Sequence, residues 1–262
     1  MKKSTFILLL ISALLILSCK KSKTEYSIPE PEPELKAKVI LYDEGSKTID
    51  NSGIKVLVEN SNPEISTTTD SKGNFTLSLK SARDVFAIVF EKEGIGTYKE
   101  YFKKSGADLY SKQLSGDYTL LSGMQTYEVG SKSSVIVNNL SAEVINGKLK
   151  FNFDITSPNI TGEKYIRVLL QKDLPNLSLN TVSHNIRNIA NTMAVQNGNN
   201  SFEFCMSCFM SCHEYVTGDK IYITAYGDAF YSNAYTDLQS GRWKFPNLNL
   251  VENNPIAFFV IP

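Results

Sequence analysis

The chain has 262 residues, with 27 basic and 27 acidic side chains and only two histidines. A formally neutral chain with no basic stripe lacks the electrostatic footprint of nucleic-acid binding, and two histidines leave few routes to imidazole catalysis. Val, Ile, Leu, Phe and Tyr are plentiful and turn residues recur, so the composition points to strands rather than helices.

The chain opens MKKSTFILLLISALLILSC. Lys2 and Lys3 form a basic start, and Phe6 to Leu17 is an apolar run broken only by Ser12. A spanning helix needs roughly 20 apolar residues, so the run fits the core of a secretory signal peptide, residues 1–18. The run ends in Ile16, Leu17, Ser18 and Cys19, with the cysteine directly after a small residue. This stretch resembles the lipobox of bacterial lipoproteins, and the resemblance implies lipid attachment at Cys19 and a membrane as partner. One acyl chain binds marginally and two or more hold firmly, which agrees with such an anchor. Cleavage there would remove Lys2 and Lys3 and leave a net charge of −2. Residues 19–34 then read as the lipidated cysteine and a tether, because the Pro-Glu alternation from Pro29 to Glu34 favours extended chain. Bacteroidetes-type surface lipoproteins carry acidic residues just after the cysteine. Lys20 and Lys21 stand there instead, so the expectation is an outer-membrane anchor facing the periplasm rather than the cell surface.

Residues 35–115 are expected to form a first β-sandwich. Ala37 to Tyr42 and Ile54 to Glu59 read as strands. Asp70 to Gly73 reads as a turn, with an aspartate that can bond the backbone ahead and a glycine free to take positive φ. Phe75, Leu77 and Leu79 then alternate with polar residues, and Val85 to Phe90 is a more continuous, central strand. Thr67, Thr69, Asp70, Gly73 and Phe75, with Gly53 and Val56 upstream, resemble the carboxypeptidase regulatory-like domain. That likeness implies a prealbumin-type sandwich and is nearly silent on function.

Residues 116–262 are expected to form a second sandwich. Ser134 to Asn138, Ala142 to Val144, Leu149 to Phe153, Tyr165 to Gln171, Ser201 to Phe209, Lys220 to Ala225 and Ala257 to Ile261 are strand-like, and a short helix is expected around Asn185 to Val195. About seven short strands suit an immunoglobulin- or fibronectin-like sandwich. The fold class is therefore all-β, two sandwiches behind a signal peptide and tether. The stretch AYGDAFYSNAYTDLQSGRWKFPN and the ending AFFVIP resemble the C-terminal pattern of uncharacterised bacteroidetes lipoproteins.

Two places hold possible chemistry. Cys205, Cys208, Cys212 and His213 lie within nine residues. They offer the four N and S donors that zinc wants, which makes them the candidate metal or redox site. The spacing lacks the C-x-x-C-H of haem attachment, and alternation along a strand would put Cys205 and Cys208 on opposite faces. A structural disulfide with one thiol left over is the preferred reading in an oxidising compartment. The second place is the aromatic group Tyr226, Phe230, Tyr231, Tyr235, Trp243 and Phe245, in a stretch rich in turns. Tyr231, Tyr235 and Trp243 are the candidate sugar contacts, against the alternative that the rings plug the end of a core. No nucleophile elbow, HExxH or P-loop occurs. The expected function is non-enzymatic: a lipid-anchored binding or scaffold module with no cofactor, whose partners are envelope proteins or glycans. A glycan-binding role and a metal or redox role are the alternatives.

Overall fold

The computed structural model describes residues 32–43, 46–48, 50–112, 116–158, 164–172, 187–207, 215–251 and 254–262. Residues Glu32–Pro262 form one compact unit with all-β architecture. The signal peptide and Cys19 lie outside the described residues.

In the first half the strands are β1 (Glu34–Asp43), β2 (Ser46–Lys47), β3 (Lys55–Val58), β4 (Ser66–Thr68), β5 (Asn74–Ser78), β6 (Val85–Glu91), β7 (Tyr98–Ser105), β8 (Asp108–Lys112), β9 (Thr119–Leu120) and β10 (Gln125–Gly130). One sheet has the order β10-β1-β2, with β5 also on β1, and the other runs β4-β3-β6-β7-β8-β9. Period-2 alternation turns Leu35, Ala37, Val39 and Leu41 of β1 inward. They meet Val56, Ile88, Phe90 and Phe102 of the other sheet in one core. The continuous apolar run of β6 is buried from Phe86 to Phe90, as suits a strand covered on both faces. The Asp70 turn forms as its chemistry requires. Asp70 Oδ1 accepts the amides of Lys72 (2.9 Å) and Asn74 (2.8 Å). Gly73 has φ +85° and stands so close to β1 that a Cβ would lie 1.9 Å from the Val39 carbonyl oxygen.

β10 closes this half by pairing parallel with β1, from Ala37 opposite Gln125 to Tyr42 opposite Gly130. Tyr127 and Val129 belong to the first core. The first core thus ends at Val129 and the second begins at Val135, and β9 and β10 pair with β8 and β1.

The second half contains β11 (Ile136–Ile145), β12 (Lys148–Thr156), β13 (Lys164–Lys172), β14 (Arg187–Val195), β15 (Gly198–Cys205), β16 (Lys220–Asp228), β17 (Tyr235–Asp237), β18 (Arg242–Lys244) and β19 (Ile256–Val260). β11-β12-β15 form one sheet and β14-β13-β16-β19 the other, around a core that includes Phe151, Phe153, Ile166 and Ile223. In the constant-type immunoglobulin order the fourth strand would extend the first of these sheets. Here β14 pairs with β13 instead, antiparallel from Lys164 opposite Val195. The expected helix around Asn185 to Val195 is therefore corrected: Arg187–Val195 is a strand. Its local pattern is ambiguous, and the open edge of β13 supplies hydrogen bonds that local preference does not encode. β17 and β18 form a separate two-stranded ribbon.

Candidate functional site: a groove under a C-terminal strap

Beyond β16 the chain leaves the second sandwich and crosses to the first. Two asparagines hold the crossing. Asn233 is buried at φ 48°, a conformation asparagine tolerates better than most residues. Its Oδ1 accepts the Gly130 amide (2.9 Å), and its Nδ2 donates to the Gly96 carbonyl (2.7 Å) and to the Gly130 carbonyl (3.2 Å). Asn247, fully buried, donates from Nδ2 to the carbonyls of Gly130 (2.6 Å) and Ser131 (2.8 Å). Gly130 must be glycine for this approach, since a Cβ would sit 2.2 Å from the Tyr231 carbonyl oxygen. These side chains satisfy backbone groups that the ladders leave over, so polar contacts tie the strap down together with the apolar burial of Leu248.

The β17–β18 ribbon therefore lies over β7. Asp237 closes its turn by accepting the Ser240 amide (2.8 Å) and hydroxyl (2.6 Å), which hold its carboxyl below the usual aspartate range. The Leu238 amide donates to the Tyr101 hydroxyl (3.1 Å). Lys99 stands between two rings, its Nζ 5.9 Å from the Tyr101 centroid and 5.5 Å from that of Tyr235. It also bonds Glu59 at 2.5 Å. Burial presses the Lys99 ammonium downward, but the bond to Glu59 and the charge of Glu59, with Tyr101 and Tyr235, together outweigh it and the net displacement is upward.

Between the ribbon turn, the β3–β4 loop and the start of β6 lies a groove of about 350 Å³. Glu59, Asn60, Asn62, Arg83, Tyr101 and Gln239 are among its polar groups, and Ala82 and Phe86 are among its apolar lining. Glu59 is already paired with Lys99. Arg83 is exposed, and among the described residues no hydrogen-bond or ion-pair partner reaches it.

The residues singled out from sequence go three ways. Tyr235 belongs to the Lys99 and Tyr101 stack beside the groove. Trp243 lies opposite Thr236, one register step from the Tyr235–Lys244 pair. Alternation therefore sends Trp243 to the other face of the ribbon. There it stacks on Phe245 (6.2 Å, 18°), whose ring receives the Arg167 guanidinium at 4.6 Å. Arg167 is in turn paired with buried Asp228. Burial pushes the Asp228 carboxyl up, and Arg167 opposes that. Tyr231 packs on Tyr42 with centroids 4.1 Å apart. Its hydroxyl is pushed up to about 12, first by its bond with Tyr42. The three rings do not form one platform. Sequence reasoning misses the groove itself, because Glu59, Asn60 and Arg83 look like ordinary turn and surface residues until the strap is laid over them.

Of the cysteine cluster, only Cys205 is described. It ends β15 opposite Lys148 and is exposed, with its Sγ 3.1 Å from the Ser207 hydroxyl. The expected strand over Ser201 to Phe209 stops at Cys205. The Met206 amide turns to the Gly147 carbonyl (3.1 Å), and the Met206 side chain enters the core. Strand alternation thus does not extend beyond Cys205. Cys208, Cys212 and His213 lie outside the described residues.

No protein-family model matches the chain, and no curated protein matches it. Among solved structures it is similar to a supposed carbohydrate-binding protein from Bacteroides uniformis, at 13% identity and a TM-score of 0.28 over 88% of this chain and 100% of that one. It is also similar to two DUF3823 family proteins. The one from Bacteroides ovatus has 11% identity and a TM-score of 0.24, over 87% of this chain and 98% of that one. The one from Parabacteroides merdae has 11% identity and a TM-score of 0.26, over 84% and 100%. Likeness at this level says nothing of what the present chain binds.

Proposed function

We propose that the chain is a lipid-anchored, non-enzymatic binding protein of the outer membrane, facing the periplasm, and that its ligand is a glycan held in the groove under the strap. The anchor reading rests on the sequence around Cys19, and the prealbumin-type reading of the first half on the Thr67 to Phe75 motif. The ligand reading rests on one observation. A groove of about 350 Å³ combines side-chain amides, a paired carboxylate, a guanidinium and a phenol with an apolar lining. Small-molecule sites begin at roughly 300 Å³ and join apolar walls to a few placed polar groups. Amides offer both donors and acceptors, which is what a ring carrying several hydroxyls requires. The Tyr101 hydroxyl accepts from Leu238 and keeps its own hydrogen to donate.

The test is a glycan array probed with the full-length protein in mild detergent. Ser81→Trp fills the groove from an exposed position, and Gln239→Ala removes one exposed amide at its rim. The expected result is binding that Ser81→Trp abolishes and Gln239→Ala weakens by about tenfold, roughly the worth of a hydrogen bond in such a site. An empty array, or binding that both variants leave intact, overturns the proposal.

A further inference from the structure

We infer that the groove selects a saccharide bearing a carboxylate, and that Arg83 receives that carboxylate. The inference rests on the glycan reading and sharpens it to a ligand class. Its ground is the distribution of charge around one cavity. Among the described residues Glu59 is the acid that lines the groove and Asp237 stands beside it on the ribbon, and both are engaged. Glu59 is bonded to Lys99 at 2.5 Å. Asp237 faces Tyr101 and Tyr235 from the ribbon, with Oδ1 bonded to the Ser240 amide and hydroxyl and with Lys99 and Lys244 near it. Asp84 follows Arg83 in the chain but does not line the groove.

Arg83 is different. It lines the cavity, it is exposed, and no described acid neutralises it. A guanidinium offers a planar fork of donors that matches the two oxygens of a carboxylate. The groups beside it are neutral: Asn60, Asn62 and Gln239 are amides. Burial raises the Tyr101 hydroxyl, so it too stays uncharged at neutral pH. With the Glu59 carboxylate balanced by Lys99, the guanidinium is the charge left without a counter-charge in the lining, and it is complementary to one negative charge on a polyhydroxylated ring. A neutral sugar would leave the guanidinium without a counter-charge, and its hydration would be disturbed for no return.

The experiment uses the full-length protein in mild detergent. The array carries uronic- and sialic-acid oligosaccharides, the methyl esters of the same compounds, neutral oligosaccharides and sulfated ones. Affinities for a bound acid and its methyl ester are then compared for the wild type, Arg83→Gln and Arg83→Lys. The free acid is expected to bind at least about tenfold more tightly than its ester, as a charge-assisted pair requires. Arg83→Gln should bring the acid and its ester to within about twofold of each other, and Arg83→Lys should keep part of the preference without the bidentate contact. The variants should melt at the wild-type temperature, since Arg83 supports no described contact. Equal affinity for acid and ester, or a preference that survives in Arg83→Gln, overturns the inference while glycan binding stands. Hits confined to neutral or sulfated sugars do the same. An array with no hits overturns both the inference and the glycan reading.

Discussion

Glu100 shows how one residue can set a pH response inside an otherwise apolar sandwich. It is 2% exposed on the inward face of β7, in the same row as buried Phe102. Burial pushes its carboxyl up, and the hydroxyls of Ser111 and Tyr98 pull back only in part. The Tyr98 hydroxyl donates to Glu100 Oε2 at 3.2 Å, while the nearby buried Tyr127 hydroxyl finds no described partner. The folded value lies above the unfolded one, so the folded state holds this proton where the unfolded state has already lost it. The contribution to stability is complete below the ordinary glutamate value of 4.5 and is lost as pH rises through the folded value. Glu100→Gln keeps the shape and an acceptor for Tyr98, adds a donor for the oxygen of Tyr127, and does not titrate. At neutral pH the variant is expected to be more stable by about 1–2 kcal/mol, the scale of relieving a poorly satisfied buried polar group. Its urea midpoint should lack the decline that the wild type shows above pH 4.5. Parallel pH profiles for the two proteins would refute this assignment.

At the scale of elements, the strap determines what the aromatic residues do. Its alternation is open in sequence, where Tyr235 and Trp243 look equally fit to contact a ligand. The ribbon register separates them, since neighbouring residues of a strand face opposite ways. Asn233 carries the attachment, with three hydrogen bonds to the backbone of Gly96 and Gly130. Asn233→Ala should cost about 2–4 kcal/mol, because it strands buried backbone groups and places a Cβ residue at positive φ. Asn233→Gly removes the strain and not the loss, so urea denaturation of this variant isolates the hydrogen bonds. Wild-type stability in Asn233→Gly would show that the clamp contributes nothing. The helix expected around Asn185 to Val195 gives way to a strand for a related reason. Whether that segment coils or pairs depends on the free edge of β13, an element separate from it in the chain.

For the whole molecule, the proposed anchor and the body pose separate questions, because the groove belongs to the body alone. Cys19→Ala is expected to abolish incorporation of labelled palmitate and to release the protein from membranes, while glycan binding by the released protein is unchanged. Continued labelling of Cys19→Ala would refute the anchor.

Most of the strand set was legible because burial on a pleated sheet leaves a period of two in the chain itself. Leu35, Ala37, Val39 and Leu41, or Phe75 and Leu77, announce their faces without knowledge of their partners. The Asp70 turn was legible for an equally local reason, as its bonds span four residues or fewer. Local pattern thus decided the all-β class and the position of the main strands. The parallel closure by β10, the transfer of β14 to β13 and the groove were left to the folded chain. Each of these depends on groups far apart in the sequence: Tyr42 with Gly130, Lys164 with Val195, Arg83 with Gln239. Such pairings leave no periodic mark on either segment, because the energy that selects them comes from unsatisfied backbone groups and open edges that exist only once the rest has folded.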